Sequence, residues 1–179
     1  MMRWTNWVSG LLALTLTLML AATVSAQGAT PATGSSLEQA TLWLMGQQTS
    51  EGGFPGFNGT PDPSITTDAI IALVAADAAG IDTSDSVDAA MSWLASTDLT
   101  LEFSQSGQGQ AAELVLAAVA AGADPRAIGS VDALALIEAG PSAETGFYGN
   151  GVYDHALCLL ALAAVGEDVP EDAIAVLES

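Results

Sequence analysis

The run Asp68-Ala69-Ile70-Ile71-Ala72-Leu73-Val74-Ala75-Ala76-Asp77-Ala78-Ala79-Gly80 holds eight consecutive apolar residues from Ala69 to Ala76. Wound into an α-helix it is apolar nearly all round, and such a helix is buried on every side. It is too short to cross a bilayer. The pattern returns at 110–122 and at 154–166, each stretch ending in a glycine twelve residues after its first member. Glycine at that place supplies the left-handed cap that stops a helix. A fully apolar helix that recurs with the same stop signal implies an internal repeat.

A second set of positions keeps step with the first. Trp43-Leu44 is followed by Trp93-Leu94 after 50 residues, by Leu136-Ile137 after 43 and by Val176-Leu177 after 40. An aromatic residue follows each of the first three: Phe54, Phe103 and Phe147. The first unit carries a longer loop, because Phe54 to Asp68 is 14 residues against 7 in the other two. The helix of this second set is apolar on one stripe only, as in Val87, Ala90, Met91 and Leu94. Ser35 with Glu38 forms a capping box at the start of the first, and Pro170-Glu171-Asp172 gives the last a proline first turn with acids at the positive end of the helix dipole. Half-buried helices alternating with fully buried ones predict an all-α fold of stacked hairpins in an outer and an inner layer. No strand pattern competes with it.

The 179 residues include 21 Asp and Glu, two Arg and no Lys, for a net charge of −19. Half are apolar, which excludes a disordered acidic tail, and the missing basic face excludes nucleic-acid partners. One cysteine, Cys158, excludes an internal disulfide framework and a multi-Cys zinc ribbon. Residues 1–26 read as a secretory signal peptide. Arg3 opens it, Leu11 to Ala22 is apolar apart from Thr15 and Thr17, and Val24-Ser25-Ala26 supplies the small residues of a cleavage site. The competing reading is a retained anchor over 7–26. Residues 27–35, rich in Gly, Ser, Thr and Pro, read as a flexible leader, and 36–179 as the repeat domain. Cleavage after Ala26 leaves a secreted or extracytoplasmic chain of charge −20 with no stable membrane span.

Gln39-Ala40-Thr41-Leu42-Trp43-Leu44, with Gln48, Gly52 and Phe54 at the following spacings, resembles the QW repeat of squalene and oxidosqualene cyclases. Gln39 stands for that repeat's basic residue and Phe54 for its final Trp. Later units are degenerate, with Asp98 and Pro141 in the place of the Gln. The resemblance covers residues 36–179 and implies the two-layered α/α toroid that these cyclases share with protein prenyltransferase β subunits and cobalamin carriers, in an exported protein of bacterial type. Three full units and the opening of a fourth make an incomplete ring of about three and a half hairpins. Family rings close with about six hairpins and roughly 250 residues, so both ends of this one are expected to expose apolar faces, to be met by self-association or by a missing C-terminal half. Trp43, Gln48, Gly52 and Phe54, with Trp93, Phe103 and Phe147, read as structural clamps between hairpins. The Gln amide caps orphan carbonyls at a helix end and stacks on an aromatic.

The chemistry of the implied family is missing. The cyclases protonate their substrate with an Asp-x-Asp-Asp motif, whereas Asp82-Thr83-Ser84-Asp85 has the wrong spacing and reads as a turn and helix cap. The prenyltransferases hold zinc through Asp, Cys and His. Asp154-His155-Ala156-Leu157-Cys158 brings those types onto one helix at another spacing, and reads as a capping Asp154, a core Cys158 and a solvent-facing His155. The expectation is therefore no metal and no cofactor. The loop 57–63 carries a glycosylation sequon at Asn58 in plain turn sequence. Repeat register brings Asp68, Gln110 and Asp154, each at the start of an apolar helix, to one mouth. Glu113 lies one turn inside, and Tyr148, Tyr153 and His155 border it, giving an apolar-walled site with a few polar groups. The function expected is an exported, non-enzymatic module that binds a hydrophobic small molecule or a protein partner. The alternatives are a terpene cyclase or prenyltransferase-like enzyme whose acid or metal motif lies outside this chain, and a purely structural surface repeat.

Overall fold

A computed structural model of the chain describes residues 35–177. The expected signal peptide and all but the last residue of the leader lie outside the described residues. Every regular element among the described residues is a helix: α1 Ser36–Met45, α2 Pro63–Ala78, α3 Ser84–Ser96, α4 Asp98–Gln105, α5 Gln108–Ala120, α6 Ala133–Glu138, α7 Val152–Val165 and α8 Glu171–Leu177. The all-α expectation holds. Two isolated antiparallel bridges, Pro55 to Pro61 and Ile128 to Val131, pinch connecting loops.

The three long apolar helices pack as a row, with α5 against both α2 and α7, while α1 and α3 lie on α2, α6 on α5 and α8 on α7. Only α5 is enclosed. Its Ala111, Ala112, Leu114, Val115, Ala117 and Ala118 have no exposed surface. Four of these six are alanines, and small side chains let neighbouring helices approach closely and fill the space without voids. The expectation of burial on every side fails for the outer members of the row. Ile71 on α2 is 39% exposed and Leu160 on α7 is 58% exposed, since each of these helices has a neighbour in the row on one side only.

Local signals act where the sequence places them. Gly80, Gly122 and Gly166 all take positive φ, at 92°, 71° and 82°. After each, the next N–H reaches back five residues, from Ile81 to Ala76 O, Ala123 to Ala118 O and Glu167 to Leu162 O. These bonds satisfy carbonyls that the helix end would leave orphaned. Ser35 caps α1 by accepting the Glu38 N–H. Asp82 accepts both the N–H and the hydroxyl of Ser84, which hold its carboxyl below the usual range, and the buried Thr83 hydroxyl donates to Leu73 O. The helix α4 is an addition to the expected hairpins. Thr97 starts it by accepting the Leu99 N–H, which puts Phe103 on a helix instead of in a loop.

Beyond Arg3 the chain has one cation, Arg126, in the turn between α5 and α6. Its guanidinium makes a two-pronged pair with the Glu138 carboxylate at the end of α6 and lies 3.7 Å from Asp132.

The tryptophans at equivalent places part company. Trp93 is 6% exposed, because its indole lies over Gly53 in the preceding loop; a Cβ at Gly53 would come within 2.6 Å of the ring. The same relation recurs between Gly146 and Val176, where the distance is 3.4 Å. Trp43 is 67% exposed. Its expected role as a clamp is therefore corrected: no described loop precedes it to supply the glycine platform. Replacing Gly53 by Ala should destabilise the fold by about 1–3 kcal/mol through overpacking. Urea unfolding checks this, and the loss should shrink when Trp93→Leu is combined with it.

Candidate functional site

The starts of α2, α5 and α7 were expected to share one mouth, each opened by a polar residue. The structure shifts these residues relative to their helices. Asp62, not Asp68, caps α2, accepting the N–H groups of Ser64 at 3.0 Å and Ile65 at 3.2 Å, with Pro63 in the first turn. Asp68 therefore sits in the second turn, exposed. Gly107 and Gly151 are the N-caps of α5 and α7, which makes Gln110 and Asp154 the third residues of their helices and corrects Asp154 as a cap. The Asp154 carboxylate instead accepts the Asn150 N–H at 2.9 Å and is held against two glycines. A Cβ at Gly109 would approach Asp154 Oδ1 to 2.5 Å, and one at Gly149 would approach Oδ2 to 2.6 Å.

Glu113 joins the row. It stands on α5, half-buried, and its Oε2 accepts the Ser64 hydroxyl of α2 at 3.1 Å. Burial pushes its carboxyl up; the Ser64 bond pulls the other way, and the charges of Asp68, Asp154 and Asp62 add to the upward push. Asp68 and Asp154 thus both lie within electrostatic reach of Glu113. Among the described residues no group of three or more His, Cys, Asp and Glu side chains is placed to hold a metal ion.

The other candidates turn away from this mouth. His155 was expected near solvent and is fully buried. Its Nδ1 accepts the Tyr148 N–H at 3.0 Å and its Nε2 lies 2.8 Å from Ala173 O on α8. An acceptor at Nδ1 and a carbonyl facing Nε2 require the neutral ring with its proton on Nε2. Phe147 meets that ring edge-on at 5.2 Å, and Tyr148 is 3% exposed beside it. Tyr153 is 70% exposed. The Cys158 thiol donates to Gln108 O at 3.3 Å, and burial, with the Asp154 charge, pushes it up to about 12, so it is an inert core group. Asp154, His155 and Cys158 are each engaged by different partners, and no ligand set forms.

Two residues matter more than the sequence indicated. Gln48, read as a clamp, donates to Gly52 O and to Ser86 O, both at 2.8 Å, and accepts the Ser86 hydroxyl, tying the first loop to α3. Gln108 plays the corresponding part later and was not singled out. Its Nε2 donates to Leu136 O and Gly140 O, both at 3.1 Å, while its Oε1 accepts the Gly149 N–H at 2.9 Å. Only its place at the start of an apolar helix hinted at this, since its partners lie 28 to 41 residues away. An open cleft of about 520 Å³ lies on the 142–151 loop, lined by Ser142, Thr145, Phe147, Gly149, Asn150 and Gly151. None of the seven candidate ligand-binding residues lines it. No family, curated protein or solved structure matches the chain.

Two outcomes follow from this geometry. Because the folded state holds the Glu113 proton more tightly than the unfolded chain, its contribution is fullest below the unfolded value near 4.5 and is lost as pH rises through the folded value. Glu113→Gln keeps an acceptor for Ser64 and should match wild type in acid, then gain over it as pH rises; urea melts across that range check the sign. Gln108→Ala strands one N–H and two carbonyls and should cost about 2 kcal/mol or more. Exchange of the Gly149 amide proton should quicken with it.

Proposed function

We propose that this chain is an exported, non-enzymatic repeat module of the squalene cyclase and prenyltransferase toroid type, and that it binds a hydrophobic partner through the bare ends of its helical row. The observation that carries the reading is the contrast between Trp43 and Trp93. The two occupy the same place in the repeat, yet one is 67% exposed and the other 6%. What covers Trp93 is a glycine loop of the neighbouring hairpin, so the partner that suits Trp43 is another hairpin of the same kind. Leu37 and Leu42 on α1 are also exposed, at 49% and 58%. At the far end so are Val152, Tyr153 and Leu160 on α7. Large apolar groups left exposed at the ends of a helical row mark interaction sites. Protein and small hydrophobic ligands both suit such a surface; the hairpin partner is favoured because the cleft of the 142–151 loop is open and is lined by none of the residues of the candidate mouth.

The absence of catalysis in this reading rests on side chains already engaged. His155 has both ring nitrogens committed, Cys158 stays protonated, Glu113 accepts the Ser64 hydroxyl and Asp154 accepts the Asn150 N–H. The polar mouth then serves as a joint between α2, α5 and α7.

Sedimentation of the chain beginning at Gln27 tests the proposal, with an apolar dye as a second readout. Wild type should associate with itself or take up dye, and Trp43→Ser should reduce both by roughly threefold or more, as expected when a central aromatic anchor is removed. Thermal unfolding should change little, because Trp43 is exposed. A stable monomer that binds no dye defeats the reading.

A further inference from the structure

We propose that Asn58 is a site of spontaneous covalent change, at which the side-chain amide is lost through a cyclic imide to give aspartyl and isoaspartyl products. The loop of the first unit is seven residues longer than its counterparts and is pinched at its base by the Pro55–Pro61 bridge. Asn58 and Gly59 stand exposed at its tip. Gly59 has φ +80° and would meet nothing within 4 Å if it carried a Cβ, so its nitrogen can swing towards the Asn58 side chain at little steric cost. The electrophile is prepared as well. Asn58 Oδ1 accepts the Thr60 N–H at 3.0 Å and the Thr60 hydroxyl at 2.8 Å. Both donors face the oxygen on which negative charge develops when Cγ is attacked, which is the arrangement of an oxyanion hole.

The step balances with water alone. The Gly59 amide nitrogen gives its proton to water or hydroxide and forms a bond to Asn58 Cγ. The Cγ–Nδ2 bond breaks, and Nδ2 takes up a proton and leaves as ammonia. Water then opens the five-membered imide at either carbonyl, giving aspartate or isoaspartate. Attack requires release of the turn bond from Gly59 N–H to Gly56 O, 2.9 Å long; openings of exposed loops of this kind lie at the low end of the stability range. The product places a carboxylate next to Phe57, the most exposed large apolar residue among the described residues, and the isoaspartyl form lengthens the backbone there by one carbon. None of this depends on the docking reading above.

The chain contains its own comparison. Asn150-Gly151 is the same dipeptide, but Gly151 is the N-cap of α7 and the Asp154 carboxylate lies on the Asn150 N–H, where a second developing negative charge is disfavoured. The test is to hold the purified chain in neutral buffer at 37 °C and follow isoaspartate and ammonia by peptide mapping. Asn58 should convert about tenfold faster than Asn150. Thr60→Val, which keeps the N–H but loses the hydroxyl, should slow Asn58 by about threefold, less than in a closed active site because water replaces the donor. Thr60→Ser should restore the wild-type rate. Conversion of Asn150 as fast as Asn58 overturns the proposal, and so does a Thr60→Val rate equal to wild type.

Discussion

Three polar side chains, the buried Thr66 and His155 and the half-buried Gln108, hold the loops to the helical row, and the rest of the packing depends on them. The segments that follow α1 and α6 turn inward beneath their neighbours, so their N–H groups leave water and need acceptors. Thr66 accepts the N–H of Phe54 at 2.9 Å, His155 that of Tyr148, and Gln108 that of Gly149. Each acceptor belongs to a helix of the row, α2, α7 and α5 in turn. Once the loops are fixed in this way, Phe54 and Tyr148 enter the core and Gly53 comes to lie under Trp93. The apolar burial is the larger energy. The polar bonds determine which apolar groups are buried together, since an unpaired buried N–H costs about 1–3 kcal/mol.

Much of this could be read from the chain. The recurring apolar helix, its glycine stops and the Ser35 cap are local features, set within a few residues, and they lie where the sequence placed them. Asp68 and Asp154 both act on the Glu113 carboxyl of α5. What went astray depended on partners far along the chain. His155 is buried because α8 supplies a carbonyl 18 residues later. Trp43 is exposed, with no loop before it among the described residues, and neither fact is written in the surrounding residues. Asp62 takes the capping role from Asp68 because Pro63 extends α2 backward by a turn. That Asp-Pro pair was legible as a helix start and was read as a turn.

The acidic surface sets a further condition on any partner. With 21 acids against two arginines, repulsion acts on every approach of one copy to another at low salt. The apolar ends carry the contacts that could overcome it, so salt should favour association by screening without touching the contacts themselves. The carboxylates around Glu113 belong to the same balance within the molecule, where protonation relieves crowding that no lysine is present to neutralise.

Arg126 brings a consequence of another kind. Beyond Arg3, its peptide bond to Ala127 is the sole place in this sequence at which a protease specific for basic residues can cut. The cut would fall between α5 and α6 and divide the helical row into two pieces joined only by packing. The guanidinium that the protease must grasp is held by Glu138 and Asp132. The rate of a single scission therefore reports how often this turn lets go, and the cohesion of the two fragments afterwards reports how firmly α7 grips α5.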